Sequence, residues 1–120
     1  MNFLKCFKYA GRGVLTLLQT QRNARMHACF MAGVIAAGFY FKINGVEWCL
    51  IILAAMCVWI AEAVNTALEF LADCITEEYH PLIKQAKDTA AAAVLIAAMG
   101  SLVIGAFVFS PYLLNLMNKD

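Results

Sequence analysis

Charged residues are scarce in this 120-residue chain, at 14% of the sequence, whereas 63% of the residues are hydrophobic. Soluble globular proteins carry about 25% charged and about 45–50% apolar residues. The mean hydropathy of +0.74 reflects the same excess of apolar residues. The composition therefore excludes an ordinary soluble domain and predicts a membrane protein with a single domain over residues 1–120.

Several functional motifs are also missing. The seven glycines form neither GxGxxG nor GxxxxGK, so no loop of the phosphate-cradling type is present. The five cysteines include no CxxC pair and are interpreted as small hydrophobic residues. The net charge of +1 gives no basic surplus, which excludes nucleic acid as a partner. The chain is also too short for a soluble kinase or dehydrogenase fold.

Residues 1–22 have the pattern of an amphipathic helix. On a helical projection the apolar side chains share one face and the basic and polar side chains share the other. The apolar face contains Phe3, Phe7, Ala10, Val14, Leu17 and Leu18, and the polar face contains Lys5, Lys8, Arg12, Thr16 and Gln19. This pattern suits a helix lying in the lipid headgroup region, although a helix packed on protein would show it too.

Three apolar runs follow and predict three transmembrane helices. The predicted spans are residues 26–44, residues 47–75 with a cytoplasmic extension, and residues 82–114. The uncharged part of the first run covers roughly 24 Å as a helix, less than the ~30 Å hydrocarbon core, so Arg25 and Lys42 must extend to the interfaces. Pro111 predicts that the third helix ends near it. The predicted fold is an all-α membrane protein.

The distribution of Lys and Arg predicts the orientation. Seven of these residues precede the first span or lie between the second and third spans, and two lie on the other side. The positive-inside rule then places the amino terminus in the cytoplasm.

A polar stripe runs along the second predicted helix. Its members, Glu62, Asn65, Thr66, Glu69 and Asp73, fall within about 100° of one another on a helical projection. A charged residue at the centre of a bilayer costs roughly 2.5–3.5 kcal/mol, so such a stripe indicates a function or a partner. A solvated acidic extension of the helix is the alternative, and it accounts better for Glu77 and Glu78 than for the stripe.

The spacing of the carboxylates predicts a division of roles. Glu62 and Glu69 are roughly 10.5 Å apart along a helix, too far for both to bind one ion. The deeper Glu62 would act on a lipid-borne group, and Glu69 would hold a Mg²⁺ ion that carries nucleotide phosphates. Lys87, one turn after Lys84, would supply positive charge to the phosphates, and Asp88 would orient a lysine or the substrate.

The sequence resembles the small bacterial integral-membrane lipid kinases, the prokaryotic diacylglycerol kinase and undecaprenol kinase family. The residues that carry the resemblance are 62–73, read as EAVNTALEFLAD, together with 7–10, 22–27, 78–81 and 86–88. The RNxRxH and HPLxKQAKD stretches are more similar to the undecaprenol kinase branch. The resemblance implies an ATP- and Mg²⁺-dependent kinase of the bacterial inner membrane that phosphorylates undecaprenol or diacylglycerol and forms a homotrimer.

The resemblance also implies roles for individual residues. Glu62 would be the general base on the lipid hydroxyl, and Asn65 would help to bind the reacting groups, with Lys87 also contacting substrate. Glu69 would bind the metal, whereas the nucleotide would contact Tyr9, Asp73, Lys87 and Asp88. Many relatives carry an acidic residue where Gln21 or His27 stands, so His27 is a candidate second metal ligand. Contact with phosphate is an alternative role, and capping of the first span is the structural one.

Two other classes of function remain open from the residues alone. A small proton-coupled transporter would also place a carboxylate such as Glu62 inside the membrane, but it usually requires a further span or an inverted repeat. A structural membrane subunit would leave the polar stripe unexplained.

Overall fold

The protein is a bundle of long helices, seen here in a computed structural model that describes residues 2–119. Four helices account for these residues: α1 (Phe3–Thr20), α2 (Arg22–Phe41), α3 (Gly45–Ile75) and α4 (Pro81–Met117). The last three are long and apolar enough to cross a membrane, and α1 is strongly amphipathic. The predicted all-α membrane fold, with a surface helix and three spans, is confirmed.

The junction between α1 and α2 is closed by Arg25. Its Nη1 donates to the backbone carbonyls of Leu18 at 3.0 Å and Gln19 at 3.1 Å. The last carbonyls of a helix have no partner within the helix and carry a partial negative charge, so a guanidinium stabilises them. Arg25 thus caps α1, and α2 begins at Arg22, four residues before the predicted span.

The connection between α2 and α3 is a tight turn over residues 42–44. Lys42 adopts the left-handed conformation (φ 54°) that ends α2. Asn44 then caps α3: its side chain accepts from the Glu47 N–H at 2.9 Å, while the Glu47 carboxylate accepts from the Asn44 N–H at 3.0 Å. This capping box fixes where α3 begins.

The hydrophobic core lies at this end of the bundle. Ile43, Ile51 and Val108 are buried together, and the rings of Phe41, Phe109 and Tyr112 pack around them. The Tyr112 hydroxyl donates to the Glu47 carboxylate and so joins α4 to the start of α3. The two longest helices are therefore anchored to each other where the short turn brings in α2.

The long contact between α3 and α4 uses small residues. Ser101 donates from Oγ to the Ala54 carbonyl at 3.1 Å. Close approach through small side chains is the usual packing mode of membrane helices. His80 caps the start of α4 by accepting from the Leu82 N–H at 3.2 Å, and Pro81 takes the first helical position, where it loses no hydrogen bond.

The prediction that α4 ends at Pro111 is wrong. Pro111 lies inside the helix, which continues to Met117. Proline removes one backbone hydrogen bond, whereas ending the helix in an apolar environment would leave several backbone groups unpaired, so the helix continues past Pro111.

Candidate active site

The polar stripe of α3 is buried at its centre. Glu62 is 1% exposed, Thr66 4% and Asn65 9%, and these are the buried polar residues among those that the structure describes. They lie on the face of α3 that also buries Ile51, Ala54 and Val58. The face that packs against protein therefore changes from apolar to polar along the helix.

The buried polar atoms of this stripe have spare hydrogen-bonding capacity. Glu62 Oε2, Asn65 Oδ1 and Thr66 Oγ1 have no hydrogen-bond partner within residues 2–119. Leaving a buried polar group unpaired costs about 1–3 kcal/mol. Three such atoms on two consecutive turns of α3 form a site that is suited to receive a donor from a ligand, such as a hydroxyl group.

His27 of α2 faces Glu62. Its Nε2 lies 3.8 Å from Glu62 Oε2, with 28% of the imidazole exposed and 2% of the Glu62 side chain exposed. The separation exceeds hydrogen-bonding distance, so the two groups are neighbours across the helix interface rather than bonded. His27 lies more than one turn inside α2, and the alternative that it caps the first span is wrong.

Asn65 and Glu69 are joined along α3. Asn65 Nδ2 donates to Glu69 Oε1 at 3.5 Å, which leaves the Asn65 oxygen and Glu69 Oε2 free of this bond. Carboxylate and amide oxygens are hard ligands of the kind that Mg²⁺ prefers, and Mg²⁺ usually binds proteins through only one or two carboxylates. The residues thus fit this ion, although residues 2–119 contain no cluster of three or more His, Cys, Asp or Glu that would hold a metal alone.

Two ion pairs lie beyond Glu69, towards the loop between α3 and α4. Lys87 Nζ is 2.7 Å from Asp73 Oδ1, so the pair links α4 to α3. Lys84 Nζ is 2.7 Å from Asp88 Oδ2 on the same helix. All four side chains are more than a third exposed, so these contacts leave the lysines accessible to an anionic ligand.

Tyr9 lies apart from these groups in its described contacts. Its side chain is exposed on α1, and the Arg12 guanidinium lies 5.8 Å from the centre of its ring. No hydrogen bond or ion pair recorded for residues 2–119 joins Tyr9 to the polar stripe. The structure thus brings together Glu62, Asn65 and His27 at one level and Glu69, Asp73 and Lys87 nearer the loop.

Two features of the site escaped prediction from the sequence. The sequence predicts no role for Thr66 within the stripe, yet its hydroxyl is buried and unpaired. The Asp73–Lys87 pair crosses a loop between two helices, so no helical spacing could indicate it. The burial of Thr66 had a partial signal, since it follows Asn65 directly within the polar face.

A profile of prokaryotic diacylglycerol kinases matches residues 8–109 of the chain. The chain belongs to the prokaryotic diacylglycerol kinase family. The match covers the polar stripe, both ion pairs and the whole of α2 and α3.

Several curated relatives support this assignment to the prokaryotic diacylglycerol kinase family. The undecaprenol kinase of Bacillus subtilis is 40% identical over 112 residues, which are 93% of this chain and 91% of the relative. The diacylglycerol kinase of a Synechocystis species is 39% identical, over 97% of this chain and 67% of the relative. The diacylglycerol kinase of Escherichia coli is 38% identical, over 85% and 84% respectively.

Membership of the diacylglycerol kinase family confirms the predicted class of enzyme, a phosphotransferase with an alcohol acceptor. Together with the three candidate spans, it also indicates a protein of the inner membrane. The roles of individual residues, the metal site and the oligomeric state stay predictions.

Proposed function

We propose that this protein is an ATP- and Mg²⁺-dependent lipid kinase that phosphorylates the hydroxyl group of a membrane lipid alcohol. The observation that carries the proposal is the Glu62 carboxylate, which is 1% exposed inside a candidate membrane span and has an oxygen without a hydrogen-bond partner in residues 2–119. Burying such a group in a membrane is costly, so its presence indicates a function. Transfer of phosphate to an alcohol, the reaction class of the family, is a function that would use this carboxylate.

The proposed chemistry begins with the hydroxyl donating to Glu62 Oε2. As the lipid oxygen attacks the terminal phosphorus of ATP, the O–H bond breaks and the proton passes to Glu62. A new O–P bond forms, the bond between that phosphorus and the bridging oxygen breaks, and ADP leaves. General base catalysis of this kind contributes about 10²–10⁴-fold. Thr66, one turn away, would orient the hydroxyl by donating from its unpaired Oγ1 to the lipid oxygen, and Asn65 would help to hold the reacting groups.

The nucleotide would bind nearer the loop. Glu69, with Asn65 beside it, would hold Mg²⁺, which when bound neutralises charge on the phosphates. Lys87 would contact the phosphates, with Asp73 holding its ammonium group in place at 2.7 Å. Asp88 and Tyr9 are proposed to contact the nucleotide because of the family resemblance, and His27 is kept as a candidate second metal ligand on the same ground.

Two lipid alcohols are candidate substrates. We favour undecaprenol, because the relative from Bacillus subtilis named undecaprenol kinase matches 93% of this chain. Diacylglycerol is the second candidate, since the relatives from Synechocystis and Escherichia coli carry that name.

The proposed enzyme has its amino terminus in the cytoplasm and acts as a homotrimer. The excess of Lys and Arg before α2 and after α3 supports this orientation. The surface of α4 supports assembly. Only 6% of its most apolar stretch of 18 residues is buried, which leaves most of the helix surface for lipid or a second copy.

The decisive experiment is a phosphoryl-transfer assay on purified protein in detergent, with ATP, Mg²⁺ and each alcohol in turn. We expect labelled phosphate to appear on undecaprenol or diacylglycerol and to require both protein and Mg²⁺. If no alcohol accepts phosphate, and a proton gradient instead drives solute movement in proteoliposomes, the protein is a proton-coupled transporter that uses Glu62, and the kinase proposal is wrong.

A further inference from the structure

An apolar cleft of about 650 Å³ lies between α2, α3 and α4. This volume is within the range of roughly 300–1,000 Å³ that is typical of ligand pockets. His27 and Trp59 line the cleft near Glu62, and Trp48 and Phe109 line it at the far end. Most of the remaining lining side chains are aliphatic, so the cleft offers almost nothing to a polar molecule along its length.

The cleft is elongated along the helices. Its lining residues on α3 run from Trp48 to Trp59, which corresponds to roughly 16 Å at 1.5 Å per residue. It also adjoins the polar site, because the His27 ring that lines it is 3.8 Å from Glu62 Oε2. One end of the cleft therefore lies beside a buried, unpaired acceptor, and the walls behind that end are hydrocarbon, which suits an alcohol with a long hydrocarbon chain.

Trp48 lines the far end of the cleft, and its indole lies where α2 has no side chain. A Cβ atom at Gly38 would lie 2.5 Å from Trp48 Cη2, so the indole occupies space that any other residue at position 38 would fill. The centres of the Trp48 and Phe39 rings are 5.0 Å apart, which braces the indole on a second side.

We propose that this cleft holds a hydrocarbon chain of the substrate and that Trp48 is its end wall, which limits the length of chain held inside. The inference rests on the proposed lipid kinase function and adds a specificity-determining residue to it. A substrate chain explains the cleft better than a helix from a second copy, because a hydroxyl on the chain also provides the donor that Glu62 Oε2 lacks.

The chain offers a matched pair of variants to test the cleft. Gly105 lines it and Gly100 does not, both lie on α4, and both have open space where a Cβ would be. Gly105→Leu should fill the cleft, and Gly100→Leu should add the same bulk outside it. We expect Gly105→Leu to raise KM for long-chain alcohols by about tenfold or more, with dihexanoylglycerol and geraniol little affected. Gly100→Leu should leave both classes unchanged.

Binding can be measured without catalysis, because the two tryptophans of the chain both line the cleft. A lipid alcohol with bromine at the chain terminus should quench Trp48 in the Trp59→Phe variant, and one with bromine near the headgroup should quench Trp59 in Trp48→Phe. Quenching should saturate, and Gly105→Leu but not Gly100→Leu should abolish it. Saturable quenching without any phosphorylation would support the cleft while refuting the kinase function.

The end wall has its own test in Trp48→Ala. The test measures kcat/KM along a series of prenols (geraniol, farnesol, geranylgeraniol) and acylglycerols of rising length. The chain length at which kcat/KM stops increasing should be greater in Trp48→Ala than in the unaltered protein. Three results would overturn the proposal: equal quenching in both leucine variants, an equal loss for short and long alcohols in Gly105→Leu, or dissociation of the oligomer by Gly105→Leu, which would assign the cleft to a second copy.

Discussion

The carboxylate of Glu62 on α3 faces the imidazole of His27 on α2, with Oε2 and Nε2 3.8 Å apart. The contact lies at one end of the apolar cleft, and the packing of Gly38 against Trp48 lies at the other. An acid, an imidazole and a hydrocarbon-lined space thus meet inside candidate membrane helices. This combination would suit the proposed lipid kinase, which must bring a lipid alcohol to a phosphate donor.

Glu62→Gln should reduce phosphoryl transfer by about 10²–10⁴-fold, because glutamine keeps the size of the side chain but cannot accept the proton. Labelled phosphate incorporated into lipid measures the loss. Nucleotide binding and the thermal midpoint in detergent should change little. Near-normal turnover in this variant would show that Glu62 is not the general base.

Glu69→Gln should raise the Mg²⁺ concentration needed for half-maximal activity by roughly 10–100-fold or more. Replacing residues that only hydrogen-bond to metal ligands already lowers metal affinity by that factor. Glu77→Gln is the matched control, because Glu77 is exposed in the loop between α3 and α4. If the two variants give the same metal titration, Glu69 is not a ligand.

Lys87→Met should weaken nucleotide affinity more than Lys84→Met does. Both lysines lie in the first turns of α4 and both form an ion pair at 2.7 Å, but only Lys87 reaches across to Asp73 on α3, beyond Glu69. Equilibrium binding of an ATP analogue in the presence of Mg²⁺ separates the two. Equal affinities in the two variants would contradict the assignment of Lys87 to the phosphates.

Gly38→Ala should destabilise the protein by about 1–3 kcal/mol, the usual cost of overpacking, because the added methyl meets the Trp48 ring. Gly33→Ala on the same helix has open space at its Cβ and should be neutral or slightly stabilising. Thermal unfolding in detergent, monitored by circular dichroism, provides the comparison. Similar thermal midpoints for both variants would show that the Trp48 side chain can move away from the added methyl group at little cost.

Hydropathy and charge were sufficient to predict the order and type of the helices, because a membrane demands long apolar segments whatever their contacts. The predicted end of α4 at Pro111 was wrong, since the rule that proline ends helices derives from aqueous surroundings. That Arg25 extends to the membrane interface stays a prediction; the structure shows that it caps α1, because the turn at Gln21 brings the carbonyls of Leu18 and Gln19 within its reach.

The candidate site was predictable along α3 and not between helices. Helical projection placed Glu62, Asn65 and Thr66 on one face, and all three are buried. The facing of His27 and Glu62 depends on how α2 and α3 pack, which no spacing within either helix encodes. The same limit applies to the cleft, whose walls come from three helices and whose end depends on Gly38 having no side chain.

Arg25 lies two residues before His27 and donates to the last carbonyls of α1. These bonds join α1 to α2 at a point less than one helical turn from the imidazole that faces Glu62. The placement of that imidazole is therefore tied to the placement of the amphipathic helix.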